Sequence, residues 1–152
     1  MLPDIECKTV LCWVGSIEQS EATVHLACTL ANSSQGRCLV VLGLDSPARL
    51  QGSGVGGREQ RSHLTPELIS MAERKLAKLY GEATQTMVLP GHPIAEVRRY
   101  AKHHGVDLVV MGEQAIEIER EYGERLMDDA PSAMMIYLAP RRSPPTHATT
   151  ST

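Results

Sequence analysis

Five short apolar runs punctuate the chain: 8–14 (KTVLCWV), 37–44 (RCLVVLGL), 85–89 (QTMVL), 107–112 (DLVVMG) and 133–138 (AMMIYL). They are continuous rather than alternating, and they favour Val, Leu, Ile and Met. A strand with one wet face alternates between apolar and polar, whereas one buried on both faces does not. The runs therefore predict a parallel sheet covered by helices.

Helical patterns fill the intervals. Residues 16–32 place Leu26, Ala27, Leu30 and Ala31 on one stripe. A second helix has Thr65 as its N-cap, Pro66 at its first position and Gly81 as a left-handed C-terminal cap. Leu68, Ala72, Leu76 and Leu79 share its apolar face, and Glu73, Arg74, Lys75 and Lys78 decorate the rest. A third helix begins at Pro93, turns Ile94, Val97 and Ala101 inward and stops near Gly105; a fourth runs from about Glu117 to Asp129, before Pro131. Strand and helix alternate throughout, which predicts one doubly wound α/β domain over residues 1–140, a five-stranded parallel sheet with helices on both faces. Any site is expected at the carboxyl edge of that sheet. Residues 46–62, rich in Gly, Ser and Arg, are predicted to be a flexible loop, and 141–152 (RRSPPTHATTST) a disordered polar tail.

Composition narrows the function. With 152 residues, 42% of them hydrophobic, the chain can bury a real core. Aromatics at 3% argue against stacking single-stranded bases, and a net charge of −3 argues against a phosphate-backbone binder, so no nucleic-acid partner is expected. No apolar run approaches the roughly 20 residues that span a bilayer. The start, MLPDIEC, lacks a basic-then-apolar pattern, so a cytoplasmic protein is expected.

The residues that carry chemistry are sparse. Cys7, Cys12, Cys28 and Cys38 contain no C-x-x-C pair, and Cys12 and Cys38 lie inside apolar runs. They read as packing thiols in a reducing compartment, not as a zinc site. Residues 52–57 (GSGVGG) satisfy G-x-G-x-x-G, but that fingerprint must join a strand directly to a helix. Here the strand ends near Leu44, Pro47 intervenes and the helix waits until Thr65, so a loop explains the glycines better. His92 and Glu96 are four apart and are weighed as a metal pair, yet His92 also suits a turn or cap before Pro93. No G-x-S-x-G, H-E-x-x-H or Walker A loop occurs, so no catalytic residue and no metal are expected.

One block is more specific. Gly91-His92-Pro93-Ile94-Ala95-Glu96-Val97, then Ala101, then Asp107-Leu108-Val109-Val110-Met111-Gly112 resembles the signature of the universal stress proteins, G-x-P-x-x-E-[IV], an alanine, and D-L-[IV]-V-M-G. Ala130-Pro131 before the last run resembles the family's closing segment, and Val10–Val14, Gly15, Ser16 and Ser20 its first strand and turn. The resemblance implies the adenine nucleotide alpha hydrolase-like fold and places nucleotide-facing positions at Val14, Gly15, Ser16, Val41, Gly91, Met111, Gly112 and Gly123.

In the ATP-binding form of that family a loop G-x2-G-x9-G-[ST] starts at the strand-end glycine. Gly112 fills the first position; Ala115, Arg125 and Leu126 stand in the others, and Gly123 is out of register. The acid before the Gly-Ser turn is replaced by Val14. Residues 113–129 also hold seven acids against Arg120 and Arg125. Such a segment repels phosphate, although a metal-bridged nucleotide would lessen the repulsion. The expected function is thus a non-catalytic stress-response or regulatory protein without a cofactor, ATP being the alternative. The resemblance further implies a homodimer along the last strand, through Met134, Met135, Ile136 and Tyr137, together with an unidentified protein partner. The alternatives are a nucleotide-binding switch or slow ATPase, and an ATP-dependent enzyme of the wider group. The latter needs an S-G-G-x-D-S loop where this chain has Val14-Gly15-Ser16-Ile17-Glu18-Gln19-Ser20.

Overall fold

The computed structural model describes residues 8–47, 64–82, 84–129 and 135–138. Residues 48–62 of the expected loop 46–62 and the expected tail 141–152 lie outside them, as does Met134. The elements are β1 (Thr9–Val14), α1 (Glu21–Ser33), β2 (Arg37–Leu44), α2 (Pro66–Tyr80), β3 (Gln85–Pro90), α3 (Pro93–His103), β4 (Leu108–Met111), α4 (Glu113–Tyr122), a 3-10 turn (Leu126–Asp129) and β5 (Met135–Leu138). The five strands form one parallel sheet in the order β3-β2-β1-β4-β5.

Side chains alternate across a strand, so each run feeds two cores. Val10, Cys12 and Val14 of β1, with Val40 and Leu42 of β2 and Val110 of β4, meet α1 and α2. Leu11, Trp13, Leu39, Val41, Val109 and Met111 meet α3 and α4 on the other face. The central strands are buried throughout. Edge strand β3 is not: Val88 is its one buried residue, and Met87 stays exposed.

The helices depart from expectation at their ends. α1 starts at Glu21 instead of residue 16, because the Ser20 hydroxyl turns back to donate to the Ile17 carbonyl (2.7 Å) and closes a turn first. Leu26 is half-buried, while Ala27, Leu30 and Ala31 carry the packing. In α2, Thr65 caps as expected, its hydroxyl accepting from the Leu68 N–H at 3.2 Å. Gly81, however, is right-handed (φ −66°), and Leu79 lies outside the core at 57% exposure, since Ala72 and Leu76 already fill the groove. The fourth helix begins four residues earlier than expected and stops at Tyr122. Gly112 caps its start and Gly123, in the left-handed region (φ 64°), ends it.

Candidate functional site

β1 and β4 are neighbours, with Trp13 opposite Met111, so Val14, Gly15 and Ser16 emerge beside Gly112 at the carboxyl edge. Five of the eight expected positions meet there: Val14, Gly15, Ser16, Met111 and Gly112. Val41, fully buried on β2, lies level with Met111, since both are partners of Trp13. Gly91 follows β3, two strands from β1, at φ 116°. Gly123 sits at the far end of α4, about 16 Å from Gly112 at about 1.5 Å per residue, where it terminates the helix instead of joining a phosphate loop.

The path of α4 decides what the edge can hold. The helix starts above β4 at Gly112 and passes β1, where a Cβ on Gly15 would lie 2.7 Å from the Gln114 Cβ. The Gln114 amide bonds the Gln19 side chain. At its other end the Tyr122 hydroxyl donates to Asp45, just past β2, and the His92 ring, just past β3, packs on the Tyr122 ring with centroids 4.4 Å apart. From β4 across β1 and β2 to β3 is three strand spacings, about 14 Å, which ten helical residues just cover. α4 therefore reaches from the end of β4 past β1 to the residues that follow β2 and β3. Ala115 and Ile118 face down into the core, each 1% exposed.

A latch holds the far end. Arg98 of α3 donates through Nε to the Leu126 carbonyl (3.2 Å), through Nη1 to Glu124 (3.2 Å) and through Nη2 to the Arg125 carbonyl (2.7 Å). Glu119 accepts from the Leu126 N–H at 2.7 Å, and the Leu126 side chain is fully buried. His92 Nδ1 accepts from the Ala95 N–H at 3.2 Å, capping α3. In the neutral ring Nε2 then carries the proton, and it faces Glu124 Oε1 at 3.6 Å. Of the two readings weighed for His92, the structure shows the cap: Glu96 bonds Arg99 at 2.7 Å and not His92. Among the described residues no three His, Cys, Asp or Glu side chains gather as a metal site.

Several features of this edge bear on anion binding. The first turn of α4 fills the space over Gly15, and a Cβ on Gly112 would lie 2.6 Å from the Thr23 hydroxyl of α1. All three donor nitrogens of Arg98 are engaged in the latch. Residues 113–129 carry a formal charge of −5. One feature favours an anion: the Ser16 hydroxyl, 6% exposed, has no hydrogen-bond partner among the described residues. The groups whose acidity is displaced lie elsewhere. Burial pushes up the thiols of Cys12 and Cys38 and the phenol of Tyr100, the last opposed by Arg37.

Comparison with known proteins follows the same lines. The universal stress protein family model matches residues 6–127. The chain belongs to the universal stress protein family. No curated protein matches it by sequence. Among solved structures it is similar to a universal stress protein in complex with cAMP, at 16% identity and TM-score 0.54, over 90% of this chain and 100% of that one. It is also similar to the Archaeoglobus fulgidus universal stress protein in complex with dAMP (14%, TM-score 0.57, 87% and 98%). A third is a universal stress protein of Lactobacillus plantarum (16%, TM-score 0.54, 88% and 99%). Likeness at these identities establishes the fold, which is the family's α/β fold. No helix among the described residues is long and apolar enough to cross a membrane.

Sequence reasoning missed Asp45, Arg98, Tyr122 and Glu124 as a group. The signal for α4 was present: a glycine at the strand end, helix-favouring Glu113-Gln114-Ala115, and Gly123 as a stop.

Proposed function

We propose that this universal stress protein acts by association, as a non-catalytic homodimer, with its nucleotide crevice closed by its own α4. The observation that supports this most is the contact of Gln114 with Gly15: the helix occupies the space above β1 where the resemblance puts a nucleotide's phosphates. The acidic run 113–129 acts in the same direction, since an anion approaching this edge meets repulsion before it meets a donor. Homodimer pairing along β5 is favoured by its place at the outside of the sheet, where an open apolar edge invites strand pairing. No catalytic residue, metal or cofactor enters this reading, and the partner it acts on is a protein of the cytoplasm.

A second reading has α4 swing away so that a nucleotide binds, making the protein a switch or slow ATPase. The unpartnered Ser16 hydroxyl favours it, as do the cAMP and dAMP held by the two relatives. A melting experiment separates the two. A ligand at 100 times its dissociation constant stabilises by about 2.7 kcal/mol. That is roughly 5–11 °C at 2–4 °C per kcal/mol in a domain of this size. The proposal expects no rise with Mg-ATP beyond that with Mg²⁺ alone, and a clear rise selects the second reading. Light scattering tests the homodimer: twice the chain mass is expected, and a monomer contradicts it.

A further inference from the structure

The opposite, amino edge of the sheet carries chemistry that the proposed function does not use. The turn after α1 folds the chain straight back: the Gly36 N–H donates to the Ala31 carbonyl (2.8 Å) and the Arg37 N–H to the Lys8 carbonyl (2.8 Å), opening β2. This reversal puts Cys28, five residues before the end of α1, level with Cys38, the second residue of β2. Both line one solvent-open cavity of about 460 Å³, together with Asn32, Arg37, Thr84 and Gln85. Cys28 is half-buried and reachable; Cys38 is 6% exposed and packs in the core shared by α1.

The two thiols share the wall of that cavity. Burial and then the adjoining Cys28 push the Cys38 thiol well up from its ordinary value. Cys12 is sealed beneath them at 0% exposure and does not line the cavity.

We propose that Cys28 and Cys38 form a hydroperoxide-responsive thiol pair that closes to an intramolecular disulfide tying α1 to β2. The Cys28 thiolate attacks one oxygen of hydrogen peroxide. The O–O bond breaks, and the other oxygen leaves as water once protonated, giving Cys28 sulfenic acid. The Cys38 sulfur then attacks the Cys28 sulfur. The S–O bond breaks, a second water leaves with the Cys38 proton, and the S–S bond forms. One peroxide is reduced to two waters, and two thiols are oxidised to one disulfide. The half-buried sulfur takes the first step because it meets the peroxide, and the sheltered one resolves the sulfenic acid. A resolving thiol held neutral by burial makes closure slow, which suits a response to sustained oxidant in a reducing compartment.

The test uses the full chain, reduced and then exposed to a molar excess of hydrogen peroxide. Remaining thiols are blocked with N-ethylmaleimide and the digest is read by mass spectrometry. The expected result is loss of label from Cys28 and Cys38 together, with their peptides joined, lighter by two hydrogens and separated again by dithiothreitol. Cys38→Ala is expected to accumulate dimedone-reactive Cys28, and Cys7→Ser to keep the full cross-link. Unchanged labelling of both thiols, a cross-link from Cys28 to Cys7 or Cys12, or a bond between two chains would each overturn the proposal.

Discussion

The two edges of this sheet treat solvent in opposite ways. At the carboxyl edge, α4 lies across the strand ends, Gln114 presses on Gly15, and Arg98, His92 and Asp45 fix the far end of the helix. At the amino edge, the strands begin under an open cavity that exposes Cys28 and the mouth of Cys38. A parallel sheet with helices on both faces leaves just these two edges for chemistry, and the carboxyl one is normally used. On the function proposed, covering it turns the usual site into core. The same fold then offers reactivity where the strands start.

Three perturbations break or sharpen this contrast. The largest effect is expected from Gly15→Val, which drives side-chain atoms into the backbone and Cβ of Gln114, itself the contact that seats α4. Overpacking of this kind costs about 1–3 kcal/mol. A melting point lowered by roughly 2–12 °C is expected at 2–4 °C per kcal/mol. An unchanged melting point would mean that α4 does not rest on β1. Arg98→Ala comes next. It removes one charge-assisted bond to Glu124 and two bonds to the Leu126 and Arg125 carbonyls, in a side chain 16% exposed. About 1–2 kcal/mol is expected in chemical denaturation, discounted for the part-exposed Glu124. Gly15→Val and Arg98→Ala both loosen the carboxyl edge and are expected to leave alkylation of Cys28 at the other edge unaltered.

The smallest effect is in the alkaline limb of stability. Burial raises the folded-state pKa of Cys12 and of Cys38, so these thiols stay neutral in the fold while the unfolded chain loses protons near its ordinary thiol range of about 8.5. The unfolded state then binds fewer protons than the native one, and stability falls as pH rises above about 8. Replacing both residues by alanine is expected to flatten that fall between about pH 8 and 10 in melting curves. A fall as steep as in the parent chain would remove these thiols from the account.

The strands were legible because each is a run of apolar residues too dense to alternate, and runs such as 107–112 carry the family's signature as well. Thr65 and His92 were legible as caps from the Pro that follows each. The start of α4 was signalled but was set four residues late. The acidic run drew attention to charge and away from the Gly112 and Gly123 caps. The latch could not be read at all: Tyr122 and Asp45 are 77 positions apart, and Arg98 and Glu124 are 26 apart. No local period links such residues; the path of α4 from β4 to the residues after β2 and β3 brings them together. Cys28 and Cys38 likewise looked unrelated, since helical and strand spacing are counted separately until the turn at 34–36 joins them.

Hydrogen–deuterium exchange along residues 112–126 tests the seating of α4 most directly. Slow exchange, unchanged when saturating Mg-ATP is added, is the predicted result for a helix locked over the strand ends. Exchange as fast as a free peptide, or protection that arises with the nucleotide, would contradict it.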